Sequence, residues 1–212
     1  MRTVMLLNAK GGSGKSTLAT NIASHYATKG QHVVLADFDP QQSSMDWLKV
    51  RPDDRPEIRG IDATAELIRV PRDTDWIVFD VPSVTHGRDL TGLIRRVDTV
   101  IMPVLPSPMD IRAAQHFIEE LHKVGKLARD EVKLALVANR VKENTVIYHQ
   151  LAEFLKSLKI PFIAALRDSQ NYIKAAERGL GICEMAPSAV EHDLEQWKSL
   201  LRWLNSKRSL PE

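Results

Sequence analysis

At 212 residues, the chain is long enough to bury one substantial core and suits a single domain over 1–212. Its 29 Lys+Arg against 27 Asp+Glu leave a formal charge of +2, which neither demands nor excludes nucleic acid, because a local basic face can hide inside a balanced total. The lone Cys183 rules out an internal disulfide framework and a cysteine metal cluster, and is expected to pack as a small buried hydrophobe.

Taken in order, Thr3 to Asn8 reads as a buried strand. Ser16 to Lys29 reads as a helix with Leu18 and Ile22 on one face and Gly30 as its stop. Val33 to Ala36 is a second, continuously apolar strand ending at Asp37 and Asp39. A helical segment around Ser44 to Arg51 precedes a polar stretch, of no assigned structure, to Thr74. Trp76 to Asp80 and Val97 to Val104 are the third and fourth strands, with a helical segment around Asp89 to Arg96 between them. After Pro103, Pro106 and Pro108 comes a long helix, Asp110 to Leu127, with Ile111, Ala114, Ile118, Leu121 and Val124 at helical spacing. Val132 to Ala138 is the fifth strand. A helix from Val146 to Leu158, a short strand from Phe162 to Leu166, a helix near Tyr172 to Arg178 and a last helix from Ala189 to Leu204 follow.

Strands alternating with helices, most strands apolar throughout, predict an α/β fold: a mainly parallel, twisted sheet with helices on both faces. Ligands of such sheets sit at the carboxyl ends of the strands. Asn8, Asp37, Asp80, Val104 and Asn139 all fall there, so one crevice can collect them. No apolar run approaches the ~18 residues of a membrane span. Met1-Arg2-Thr3 leads into a strand rather than a secretion signal, so a cytoplasmic protein is expected.

Between the first strand and first helix stands Asn8-Ala9-Lys10-Gly11-Gly12-Ser13-Gly14-Lys15-Ser16-Thr17, which reads as a phosphate cradle. Glycines let the backbone curl so that the N–H groups of Gly11 to Thr17 converge on a polyphosphate, and the helix dipole adds to the same point. Lys15 then lies against the β- and γ-phosphates and the Ser16 hydroxyl ligates Mg²⁺. The ordinary pattern has its first glycine where Ala9 stands, and Lys10 is the extra feature of this loop.

Lys10-Gly-Gly-x-Gly-Lys-Ser resembles, without a gap, the deviant P-loop of the ParA/MinD ATPases. The resemblance extends to Asp37-Phe38-Asp39-Pro40-Gln41 and to Trp76-Ile77-Val78-Phe79-Asp80-Val81-Pro82. It implies a P-loop NTPase fold and ATP hydrolysis with Mg²⁺. In that family the first lysine reaches the other subunit's nucleotide, so Lys10 is implied to supply charge across a homodimer formed on ATP, as an arginine finger does. Asp80 is implied to hold the metal through water and Asp37 to help order its shell. The second acid, Asp39, is implied to orient the attacking water. Strand-end aspartates also commonly cap the next turn or helix, which is the alternative for both acids of the pair.

Asn139 resembles the family asparagine that reads adenine, with Arg140 beside it to stack or to face solvent. Val104 to Asp110 resembles the switch loop that senses nucleotide and partner; its prolines serve equally as a rigid connector.

ParA-like members hold DNA non-specifically through late basic residues. Here some subset of Arg140, Lys142, Lys156, Lys159, Arg167, Lys174, Arg178, Lys198, Arg202, Lys207 and Arg208 is implied to form such a patch; acids are interspersed, and a solvated charged face is the alternative for each. A nucleoid-associated ATPase that partitions a plasmid or chromosome, or positions another cargo, is then expected. A ParB-like adaptor would stimulate its hydrolysis. The alternative is a MinD-like membrane regulator anchored by the last helix, whose Val190, Leu194, Trp197, Leu201 and Leu204 form an apolar stripe flanked by Trp203. Glu191, Asp193 and Glu195 oppose anionic lipid, so core packing is the expected role of that stripe and a membrane partner is not expected.

Overall fold

The computed structural model describes residues 1–65, 68–83 and 85–211. Its strands are β1 (Arg2–Leu6), β2 (Val33–Asp37), β3 (Ile58–Asp62), β4 (Trp76–Asp80), β5 (Thr99–Val104), β6 (Lys133–Val141) and β7 (Phe162–Arg167). Among them run α1 (Lys15–Ala27), α2 (Ser43–Lys49), α3 (Gly87–Ile94), α4 (Pro108–His122), α5 (Gly125–Ala128), α6 (Val146–Ser157), α7 (Gln170–Ala176) and α8 (Pro187–Leu204). All described strand pairs are parallel, and the sheet order is β3-β2-β4-β1-β5-β6-β7.

Because strand side chains alternate, each strand feeds two cores. Met5, Val34, Ala36, Ile77, Phe79, Val100, Met102, Leu134 and Leu136 pack under α3, α4 and α6, through Leu90, Ile94, Phe117, Leu121, Leu151 and Leu155. Val4, Leu6, Val33, Leu35, Val78, Ile101, Ala135 and Val137 face the other way, against α1, α2 and α8 through Leu18, Ile22, Trp47, Trp197 and Leu200. The apolar stripe of α8 is therefore core: Val190, Trp197, Leu200 and Leu204 are buried, and Leu194 and Leu201 pack against the same cluster. No described helix is long and apolar enough to cross a membrane.

The structure departs from the sequence expectations at three backbone segments and at Cys183. The polar stretch contains β3, an edge strand paired to β2 with Ile58 and Ile61 inward and Arg59 and Gly60 exposed. The long helix stops at His122, because Val124 turns to extended backbone and α5 starts afresh at Gly125. Finally, β6 runs on to Val141, so Asn139 lies inside the strand; Arg140 adopts φ +53° at an irregularity in the β6–β7 register. Cys183 is only partly buried, and its thiol is pushed up to about 11, first by desolvation.

The register is what positions the site. Parallel pairing sets Asp80 level with Leu6 on one side and with Asp37 on the other, so the chain leaves β1, β2 and β4 at one height.

Candidate nucleotide site

The loop after β1 is braced from beneath. Asn8 is buried; its Nδ2 donates to Pro103 O at 2.6 Å, and its Oδ1 accepts the Lys10 N–H at 3.0 Å. Gly12 (φ +75°) and Gly14 (φ +93°) take the left-handed conformations that turn the chain into α1. Asn139 Nδ2 donates to Ser13 O at 2.8 Å and sits so close that a Cβ on Gly14 would lie 2.2 Å from it.

Two observations test whether this loop fits a polyphosphate. Ser13 Oγ is fully buried within the loop with no hydrogen-bond partner among the described residues, an uncompensated polar atom of the kind a bound group satisfies. The first turn of α1 has no acidic residue and no side-chain cap, so its N–H groups and dipole serve an anion from outside. Gly11 to Thr17 thus fit the group the sequence implies.

Lys15 is buried and its pKa is lowered by desolvation, a shift partly opposed by the charges of Asp80 and Asp39. Its ammonium therefore belongs to an anionic centre rather than to solvent. Asp80 is buried too, and desolvation pushes its carboxyl up to about 6 against the hydroxyls of Ser16 and Ser44, which hydrogen-bond to it. A carboxylate gripped by a P-loop serine is chemically suited to a divalent cation at that point, where Ser16 and Asp80 would hold it.

Asp37 is engaged differently. Its Oδ1 accepts the Asp39 N–H at 2.9 Å, and its Oδ2 accepts the N–H groups of Ser44 at 3.0 Å and Met45 at 3.3 Å. Burial raises its pKa and these backbone donors offset part of the cost. Capping and turn formation, one of the two roles open to it from sequence, occupy both oxygens. Asp39 is half-buried, and its Oδ1 accepts the Gln41 N–H at 2.9 Å.

Lys10, half-exposed, sends its Nζ to Asp110 Oδ1 at 3.3 Å in the same chain. Asp110 lies in the first turn of α4, and its backbone N–H donates to the N-cap Ser107 at 3.1 Å. Arg140 is exposed and pairs with Asp168 at 3.3 Å. The structure thus gathers Lys10 to Thr17, Asp37, Asp39, Asp80 and Asn139 with Asn8, pairs Arg140 with Asp168, and adds Ser44 and the contact of Lys10 with Asp110. Neither Ser44 nor the Lys10–Asp110 contact had a local signal in the sequence.

The eleven late cations do not make one patch. Arg167 forks onto the buried Asp193 at 2.6 and 3.0 Å, Lys198 pairs with Glu195, and Arg140 is engaged as above. Lys159, Arg202, Lys207 and Arg208 rim an open groove at the amino ends of β6 and β7. Lys142, Lys174 and Arg178 follow the carboxyl ends of the same strands.

Residues 4–182 match the family described as the CobQ/CobB/MinD/ParA nucleotide binding domain. Among curated relatives, the chain is 27% identical over 190 residues to the maintenance of carboxysome distribution protein A of Halothiobacillus neapolitanus, covering 86% of this chain and 87% of that one. Among solved structures, it resembles a putative plasmid partition protein from Borrelia burgdorferi bound to AMPPNP, with TM-score 0.73 and 16% identity over 95% of this chain and 98% of that one. It also resembles an ATP complex of a McdA variant from Cyanothece, with TM-score 0.72 and 14% identity over 94% and 96%.

Proposed function

The chain belongs to the CobQ/CobB/MinD/ParA nucleotide-binding family, and from that premise we propose that it is an ATPase whose nucleotide-driven dimerisation positions or partitions a cargo on DNA. The observation that carries this reading is the charge arrangement at one end of α1. A buried lysine and a buried, serine-gripped acid flank a loop whose Ser13 hydroxyl has no partner among the described residues. A nucleoside triphosphate with Mg²⁺ fits that set, its phosphates meeting the lysine and its cation the acid.

In this reading the backbone of Gly11 to Thr17 cradles the phosphates and Lys15 supplies a point charge. Ser16 and Asp80 would hold the metal, which when bound would supply charge neutralisation at the phosphate oxygens. Asp39 orients the water. Lys10 rests on Asp110 in the single chain, and in this reading it moves onto the twin's nucleotide when two chains meet. Association of two chains thus exchanges an intrachain ion pair for a contact made only when nucleotide is present, which makes triphosphate the switch. Asn139, holding Ser13 O, supports the cradle and lies where it can also meet a base.

Similarity to a carboxysome distribution protein over most of both chains supports a positioning role, and the plasmid partition neighbour supports the same machinery for DNA cargo. In this reading the protein is cytoplasmic and nucleoid-associated, and an adaptor stimulates its hydrolysis. The buried stripe of α8 weighs against a MinD-like membrane anchor. Lys10→Ala is expected to keep nucleotide binding within a few-fold while hydrolysis falls to background, as measured by phosphate release. Normal turnover would contradict the proposal. Random-sequence DNA is expected to be retained only with ATP, and less as salt rises.

A further inference from the structure

Ser44 is fully buried at the start of α2, remote in sequence from every recognised motif of the site except the acidic pair. Its Oγ donates to Asp80 Oδ2 at 2.6 Å, and its backbone N–H donates to Asp37 Oδ2 at 3.0 Å. Asp37 Oδ1 in turn accepts the Asp39 N–H at 2.9 Å. One line of hydrogen bonds therefore joins Asp80, at the end of β4, to Asp39, on the loop after β2, and Ser44 contributes two of its three links. We propose that Ser44 is a positioning residue that orients the Asp80 carboxylate toward Ser16 and locks that orientation to the loop bearing Asp39, so that the metal-holding and water-orienting acids move as one unit.

This deepens the ATPase reading and rests on it. Three features carry it. Asp80 is gripped from two sides, by Ser16 from the cradle and by Ser44 from α2, so losing Ser44 frees the carboxylate to rotate about its last bond. Asp37 has both oxygens taken by backbone N–H groups, which makes it the bracket of the strut. The next turn of α2 is itself anchored: Trp47 Nε1 donates to Leu180 O at 3.3 Å, so Ser44 stands on a fixed element rather than a free loop. A buried hydroxyl that aligns a carboxylate acts on a metal site as a hydrogen-bond partner of a ligand does, where loss typically costs about 10- to 100-fold in metal affinity.

The test uses the full chain with a non-hydrolysable ATP analogue and Mn²⁺ as probe, reading bound Mn²⁺ by EPR and, in parallel, the affinity for the analogue without metal. Ser44→Ala is expected to weaken Mn²⁺ binding by roughly 10-fold while metal-free analogue binding stays within about 2-fold. Ser44→Thr, which keeps the hydroxyl, is expected to restore most of the Mn²⁺ affinity. Unchanged Mn²⁺ affinity in Ser44→Ala would overturn the proposal, as would a parallel fall in metal-free binding, which marks general collapse of the loop. Should Ser44→Ala fail to fold, Ser44→Cys provides the same comparison with a weaker donor, and an unaltered Mn²⁺ affinity there would again overturn it. If the unaltered chain binds the Mn²⁺ complex yet never hydrolyses ATP, the hydrolysis reading fails while the Mn²⁺ titration still decides on the strut.

Discussion

A methyl group on Gly14 would lie 2.2 Å from Asn139 Nδ2, and the residue holds φ +93°, a conformation that L side chains avoid. Gly14→Ala therefore strains the backbone by about 1–3 kcal/mol and pushes away the amide that props Ser13. ATP binding, followed by calorimetry, is expected to fall at least 100-fold; binding close to that of the unaltered chain would mean that the cradle is looser than its geometry.

Asp80 makes the opposite kind of prediction. Its carboxyl is raised from 3.8 to about 6, chiefly by desolvation. Since the fold favours the neutral form, the nucleotide-free chain loses stability as pH rises from about 4 through 6, by roughly 2–3 kcal/mol for a shift of this size. Asp80→Asn removes that loss: its melting temperature should exceed that of the unaltered chain at pH 7.5, with the gain vanishing below about pH 4. Metal-dependent nucleotide binding should disappear in the same variant. The glycines, Lys15 and Ser16 were legible in the sequence because their geometry is local. The partnerships of Ser44 with Asp80 and of Lys10 with Asp110 were not, since they join residues brought together only by the sheet.

Among the elements, α2 carries the acidic loop and is held at its far end by a buried pair. Arg51 Nη2 lies 2.7 Å from Glu184 Oε1, with both side chains almost inaccessible, and Arg51 also donates to Gly179 O and Pro56 O. Removing one partner leaves a buried charge uncompensated, which costs about 3–5 kcal/mol. Glu184→Ala should shift the urea midpoint accordingly, and a change below about 1 kcal/mol would show that solvent reaches Arg51. The apolar strands were readable from their unbroken hydrophobic runs. β3 was not, because the edge strand Ile58-Arg59-Gly60-Ile61-Asp62 buries only Ile58 and Ile61, which do not alternate, and has polar neighbours. The early end of α4 escaped notice because Val124 continues the helical spacing in sequence while its backbone has already left the helix.

At the level of the whole molecule, the layered sheet was legible from strand and helix alternation, whereas the division of the basic residues was not. That division depends on which end of β6 and β7 each loop occupies. Lys10 sets the central question, since its ammonium rests on Asp110 within the chain while the resemblance gives it work on a second copy. Asp110→Ala frees Lys10 and should lower the ATP concentration needed for half-maximal association; an unchanged value would make the ion pair a bystander. The most direct test is the molar mass in solution, by light scattering, of the unaltered chain and of Lys10→Ala with Mg²⁺ and a non-hydrolysable ATP analogue. The account requires a doubling of mass for the unaltered chain on adding the analogue and a weakened doubling for Lys10→Ala. A chain that stays monomeric with saturating analogue would contradict it.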